Sequence, residues 1–130
     1  MRKLSRICLI ALAKTAILLG NTQAAFAHTV LISSSPAKNA KISALPSKIT
    51  LTFAEALLTI KGKNINSVAV SDSVNHNLVT ASAQVNGAVV SAALIPASKL
   101  NGKFLVSYRV VADDGHVVTG SFTFTVIGKK

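Results

Sequence analysis

The chain has 130 residues, half of them hydrophobic, with fourteen Lys and Arg against four Asp and Glu, one Cys and one Met. That length suits a single domain, and a lone cysteine excludes a disulfide framework, a zinc ribbon and a thiol redox pair. The lysines are scattered and not interleaved with aromatics, which argues against nucleic-acid binding despite a formal charge of +10.

Residues 1–27 read as a secretory signal peptide. Arg2, Lys3 and Arg6 form its basic start, Ile7 to Leu19 is mostly apolar, and Ala25-Phe26-Ala27 supplies the small residues that a signal peptidase needs. A membrane anchor is the rival, but Lys14 interrupts the apolar run, which falls short of the roughly 18 residues a spanning helix requires. Cleavage is expected after Ala27, with Ala24 and Ala25 as the other stopping points. Cys8 leaves with the leader, and so do four basic residues, so that 28–130 carries ten basic against four acidic side chains. The mature domain then has no cysteine, yet is long enough to fold without disulfides.

Beyond the leader the pattern is β throughout. A first strand is expected near Thr29 to Ser33. In "KITLTF" Ile49, Leu51 and Phe53 share one face and Lys48, Thr50 and Thr52 the other. Residues 54–66 and 71–77 read as loops, with a single helical turn conceivable in "EALLTI". "NSVAVS" brings Val68 and Val70 together. "LVTASAQV" and "AVVSAALI" flank Asn86-Gly87, a dipeptide suited to a type I′ hairpin turn. A second Asn-Gly, at 101 and 102, opens "KFLVSYRVVA", where Phe104, Val106, Tyr108 and Val110 share a face. "GSFTFTVI" closes the chain with Phe122, Phe124 and Val126 on one side. About seven short strands in roughly 100 residues predict an all-β fold, a single immunoglobulin-like Greek-key β-sandwich lacking the cysteine pair.

The titratable side chains are few enough to weigh singly. "ADDGH" gathers Asp113, Asp114 and His116 within five residues, and Asp-Gly alone would explain a solvated turn. Continuing the alternation of the preceding strand puts Ala112, Asp114 and His116 on the inward side, where unpartnered polar groups are costly. Cleavage after Ala27 adds a second element: the α-amine and Nδ1 of His28 close a chelate ring on one metal ion. With Asp114 and His116 this makes three nitrogens and an oxygen, a tetragonal donor set that suits Cu(II), with nickel second and zinc less well matched because it prefers a tetrahedron. The amine must lose its proton, so affinity should fall in acid. Glu55 continues the 49, 51, 53 face and is a candidate axial ligand or outer partner to an imidazole, against the plain alternative of a surface salt bridge to a lysine. His76 in "SVNHN" reads as an exposed loop histidine, and Asp113 as facing water.

"HTVLISSSPAKNAKISALPSKITLTFAE" and "YRVVADDGHVVTGSFTFTV" resemble the CopC family of periplasmic copper-binding proteins, whose mature chains begin with His and run H-x-x-L-x-x-S-x-P-A, then P-x-x-I/V-x-L-x-F-x-E, and end in Y-R-V-V-S-x-D-G-H-x-V-x-G before an F-x-F-x-V strand. The middle, residues 56–100, adds nothing to the likeness. Carried over by position, it implies one Cu(II) held by the amine and imidazole of His28, by Asp114 and by His116, with Glu55 at the glutamate of F-x-E. Ala112, Asp113 and Val117 depart from the pattern without removing a ligand. Some members also hold Cu(I) in a methionine-rich site, which this chain cannot build because its only methionine is Met1.

The expected function is a monomeric periplasmic Cu(II) carrier, without catalytic activity or a membrane anchor after processing, serving sequestration, resistance or delivery to a CopD-type inner-membrane importer. An N-terminal histidine paired with a second histidine is also how lytic polysaccharide monooxygenases hold copper. Such enzymes keep a coordination position open and use aromatic surfaces, whereas here a carboxylate fills the plane and tryptophan is absent. A metal-free adhesion sandwich is the third reading, and copper titration separates it from the first.

Overall fold

The computed structural model describes residues 29–97 and 99–128; the expected leader, its expected cleavage point and His28 lie outside the described residues. The chain forms β1 (Leu31–Ser35), β2 (Lys41–Ile42), β3 (Lys48–Phe53), β4 (Ser67–Ser71), β5 (Gln84–Asn86), β6 (Val89–Ala93), β7 (Gly102–Val111) and β8 (Val117–Val126). These make two four-stranded sheets, ordered β1-β3-β6-β5 and β2-β8-β7-β4. All pairings are antiparallel except β2 with β8, which is parallel. The β-sandwich is as expected, with the two-residue β2 bringing the strands to eight.

Period-two alternation builds the core. Ile49, Leu51 and Phe53 of β3, with Val90 and Ala92 of β6, face Phe104, Val106 and Val110 of β7 and Phe122, Phe124 and Val126 of β8, all buried. Phe104 and Phe124 are directly paired across β7 and β8, and their rings stack with centroids 5.4 Å apart. Tyr108 lies opposite Gly120. A Cβ on Gly120 would fall within 3.0 Å of the Tyr108 hydroxyl, Cζ and Cε1, so the glycine is what lets the ring lie across the strand. From there the ring meets Phe53 edge-on, with centroids 5.4 Å apart.

Four local expectations are corrected. The first strand is Leu31–Ser35, not 29–33, because Thr29 is drawn into the interior as described below. No helical turn forms in "EALLTI": Leu57 makes an antiparallel bridge to Ala112 and is buried, so tertiary pairing overrides helix propensity. "LVTASAQV" is a strand only over Gln84–Asn86. Its start is tied instead by the single bridge Val79 to Leu94, and "TASA" between has no apolar alternation to bury. The β5–β6 hairpin turns on Gly87-Ala88, with Asn86 paired to Val89. Gly87 has φ +59° while Ala88 is not among the positive-φ residues, which is the glycine-first type II′ arrangement.

Only β5–β6 and β7–β8 are joined as hairpins within a sheet; every other connection crosses between sheets. Leu57, just past β3, bridges Ala112, just past β7. The C-terminal ends of β3 and β7 therefore share one pole of the sandwich, and their N-terminal ends share the other.

Candidate metal centre

The β7–β8 connection is a hairpin turn with an added residue. Gly115 N donates to Ala112 O at 2.8 Å and Ala112 N to His116 O at 2.8 Å, while Gly115 takes φ +89°. Asp113 and Asp114 occupy the centre of the turn and Gly115 the left-handed bulge position that glycine tolerates best. Strand alternation therefore stops at Ala112, which is buried. Asp114 and His116 are not inward strand residues, as parity suggested, but half-exposed turn residues, with side chains 46% and 54% exposed. Asp113 faces solvent, as expected.

The turn joins the two chemical groups directly. Asp114 Oδ1 accepts from His116 N at 3.0 Å, and Asp114 Oδ2 lies 2.8 Å from His116 Nδ1. An ionised carboxylate can only accept, so Nδ1 carries the proton and the lone pair of the neutral ring is on Nε2. A carboxylate that fixes an imidazole's tautomer and orientation is the usual outer partner of a metal-bound histidine.

Segment 54–58 places the turn relative to the beginning of the described chain. At its start Ala54 N donates to Val30 O at 2.9 Å and Glu55 N to Thr29 Oγ1 at 3.1 Å. Further along, Asp113 N donates to Ala56 O at 3.1 Å and Leu58 N to Val111 O at 2.8 Å. This one segment is thus hydrogen-bonded both to Thr29 and Val30 and to the turn bearing Asp114 and His116.

Two residues that sequence reasoning passed over hold this arrangement. Thr29 is 1% exposed and turns its hydroxyl onto Glu55 N. Asn66, also buried, donates from Nδ2 to Leu58 O at 2.8 Å and accepts at Oδ1 from Val111 N at 2.8 Å. It stitches the long 54–66 loop to the end of β7. Nothing in the loop's composition marks Asn66; a polar Thr ahead of an apolar run was the one available signal for Thr29.

Glu55 is exposed and past the end of β3, so its parity with Ile49, Leu51 and Phe53 does not carry it inward. Its carboxylate makes no salt bridge to a lysine among the described residues. His76 is an exposed loop histidine, as expected, but is held by Asp72: Oδ2 lies 3.1 Å from His76 Nδ1, and Oδ1 accepts from Val74 N and His76 N. Among the described residues no three His, Cys, Asp or Glu side chains converge. The turn supplies a pair, and a complete metal site needs donors from beyond it.

Comparison with known proteins agrees with this architecture. The family model described as the CopC domain matches residues 31–127. Copper resistance protein C of Pseudomonas syringae pv. tomato is 36% identical over 104 residues, 77% of this chain and 81% of that protein. The crystal structure of CopC from Methylosinus trichosporium OB3b matches with a TM-score of 0.68 at 24% identity, over 79% of this chain and 97% of that one, a likeness of fold. PcoC, a methionine-rich copper resistance protein from Escherichia coli, matches with a TM-score of 0.60 at 28% identity, over 77% and 99% of the two chains. With the family model spanning nearly the whole sandwich and a relative 36% identical across most of its length, the chain belongs to the CopC family.

Proposed function

We propose that the exported chain begins at His28 and carries one Cu(II) ion in the periplasm, bound by the α-amine and Nδ1 of His28, Asp114 and His116 Nε2. The observation that supports this most directly is segment 54–58, which is hydrogen-bonded both to Thr29 and Val30 and to Asp113. Thr29, the residue after His28, is thereby held on the segment that also holds the turn bearing the carboxylate–imidazole pair. Glu55, in the middle of that segment, is an outer partner or axial ligand.

The donor set is nitrogen and oxygen. Cys8 and Met1 are the only sulfur-bearing residues, and both precede residue 28. Cu(I) selects thioether and thiolate sulfur, so the domain handles cupric and not cuprous ion, unlike a protein described as methionine rich. Its role is sequestration, resistance or transfer to a CopD-type inner-membrane importer, and the protein works as a monomer.

Carriage is favoured over catalysis by the aromatic side chains. Among the described residues Phe53, Phe104, Phe122 and Phe124 are buried and Tyr108 is half-buried, leaving no aromatic platform on which a polysaccharide would stack. The test compares two preparations, one starting at His28 and one with a single residue in front of it. Cu(II) titration and electron paramagnetic resonance should show tight binding in the first and a changed spectrum with weak binding in the second. Identical affinity and spectra would remove the chelating amine from the site.

A further inference from the structure

The charge of the domain is unevenly placed. At the Asp114–His116 pole, Glu55, Asp113 and Asp114 balance Lys61, Lys63 and Arg109, since the 54–66 loop leaves β3 and enters β4 at that end. At the opposite pole lie Lys38, Lys41, Lys48, Lys99 and Lys103, against Asp72 alone. The Asp72 carboxylate is already engaged by His76 and by two backbone N–H groups. The whole positive excess of the described residues is therefore at the end remote from the candidate metal centre.

Cross-strand pairing aligns part of this charge. Lys41 and Lys103 both pair with Thr125, so the two exposed lysines stand in one row across β2, β8 and β7 on the outer face of their sheet. Lys48 begins β3 at the same pole of the other sheet. Exposed apolar side chains accompany them. Ile127 continues β8, with its N–H donated to Ile42 O, and Val74 stands in the loop that follows β4. Beyond Gly128 the sequence adds Lys129 and Lys130.

Lysines that share a pole with exposed aliphatic side chains match the chemistry of an anionic bilayer surface: ammonium groups meet lipid phosphates while the aliphatic tips enter the interfacial layer. We propose that the pole carrying Lys41, Lys48, Lys103 and Ile127 docks on anionic phospholipid. The domain would then stand with the Asp114–His116 turn facing away from the membrane, open to the aqueous space. This assignment does not depend on the metal reading.

The experiment is co-sedimentation of the exported protein with vesicles of mixed phosphatidylglycerol and phosphatidylcholine, and with pure phosphatidylcholine vesicles, at about 0.1 M salt where only close charges act unscreened. Binding to the anionic vesicles alone is expected. Replacing Lys41→Gln with Lys103→Gln should weaken it about thirtyfold, at about fivefold per lysine, while Lys61→Gln with Lys63→Gln, an equal charge change at the other pole, should weaken it far less. All four lysines are exposed, so thermal melts should be unchanged. Equal losses in the two double variants would reduce the effect to net charge and overturn the proposal, as would no loss in either, or a wild-type protein that ignores anionic vesicles.

Discussion

The molecule carries the same local device twice. In the 72–76 loop and in the 112–116 turn, one aspartate oxygen accepts the backbone N–H of a histidine and the other lies against its Nδ1. The distances are alike, 3.1 Å to Nδ1 in the first and 2.8 Å in the second. What differs is the surroundings. Asp72 spends its carboxylate on the loop, taking Val74 N as well, and is largely covered at 18% side-chain exposure while His76 stands 75% exposed. Asp114 remains half-exposed, and its turn is joined through Ala56 to the segment that also holds Thr29. An aspartate that orients an imidazole is thus a common way to close a turn; a neighbouring chain end is what would make it part of a metal site.

The comparison breaks most decisively at the histidines. His116→Ala should weaken Cu(II) binding by about 3 kcal/mol, roughly a quarter of the 10–16 kcal/mol a four-ligand site can supply, or about a hundredfold. His76→Ala should leave it unchanged. Competitive Cu(II) titration of both variants measures this, and equal losses would erase the distinction between the two pairs.

The next largest effect is on stability. Asn66→Leu leaves Leu58 O and Val111 N without their partner inside the sandwich, and each buried orphan costs about 1–3 kcal/mol. Denaturant unfolding should register the loss. A variant as stable as the parent would mean that the 54–66 loop is not held by this residue.

Thr29→Val keeps the shape of the side chain and removes the acceptor for Glu55 N. An outer-sphere change of this kind typically costs about tenfold in metal affinity, and Thr29→Ser should restore it. If Thr29→Val left Cu(II) affinity intact while the parent bound tightly, anchoring of residue 29 would be irrelevant to the site.

The smallest effect concerns pH at the other pair. Backbone hydrogen bonding, from His76 N above all, holds the Asp72 carboxyl below its ordinary value of 3.8 against the opposing effect of burial. A carboxyl whose pKa is depressed by folding contributes stability that is fully present above its ordinary value and is lost as pH falls through the lower folded value. Asp72→Asn should therefore flatten the acid limb of the stability curve below about pH 4 and leave neutral-pH copper binding untouched. An unchanged acid limb would assign the lowered pKa no energetic consequence.

Much of the sandwich was legible because alternation is a local property. "KITLTF" and "GSFTFTVI" each announce a half-buried strand, and each is one. Legibility failed where a partner elsewhere decides the outcome. "EALLTI" is extended because Leu57 finds Ala112, and the β5–β6 turn moved by one residue to put glycine first. Parity put Asp114 and His116 on the inward side of the strand, whereas both are half-exposed turn residues. Gly115 ends the alternation, and the aspartate and imidazole are joined by turn hydrogen bonds.

The sequence by itself determined the all-β class, the main strand faces and the two ends of the CopC pattern, since each depends on residue spacing within one short segment. Only the tertiary structure decided which Asp–His pair shares a hydrogen-bonded segment with Thr29 and Val30, and that Thr29 and Asn66 secure that segment. It also decided that the surplus lysines gather at the far pole. Those outcomes depend on hydrogen bonds and strand ends contributed by segments dozens of residues apart, which no local pattern encodes.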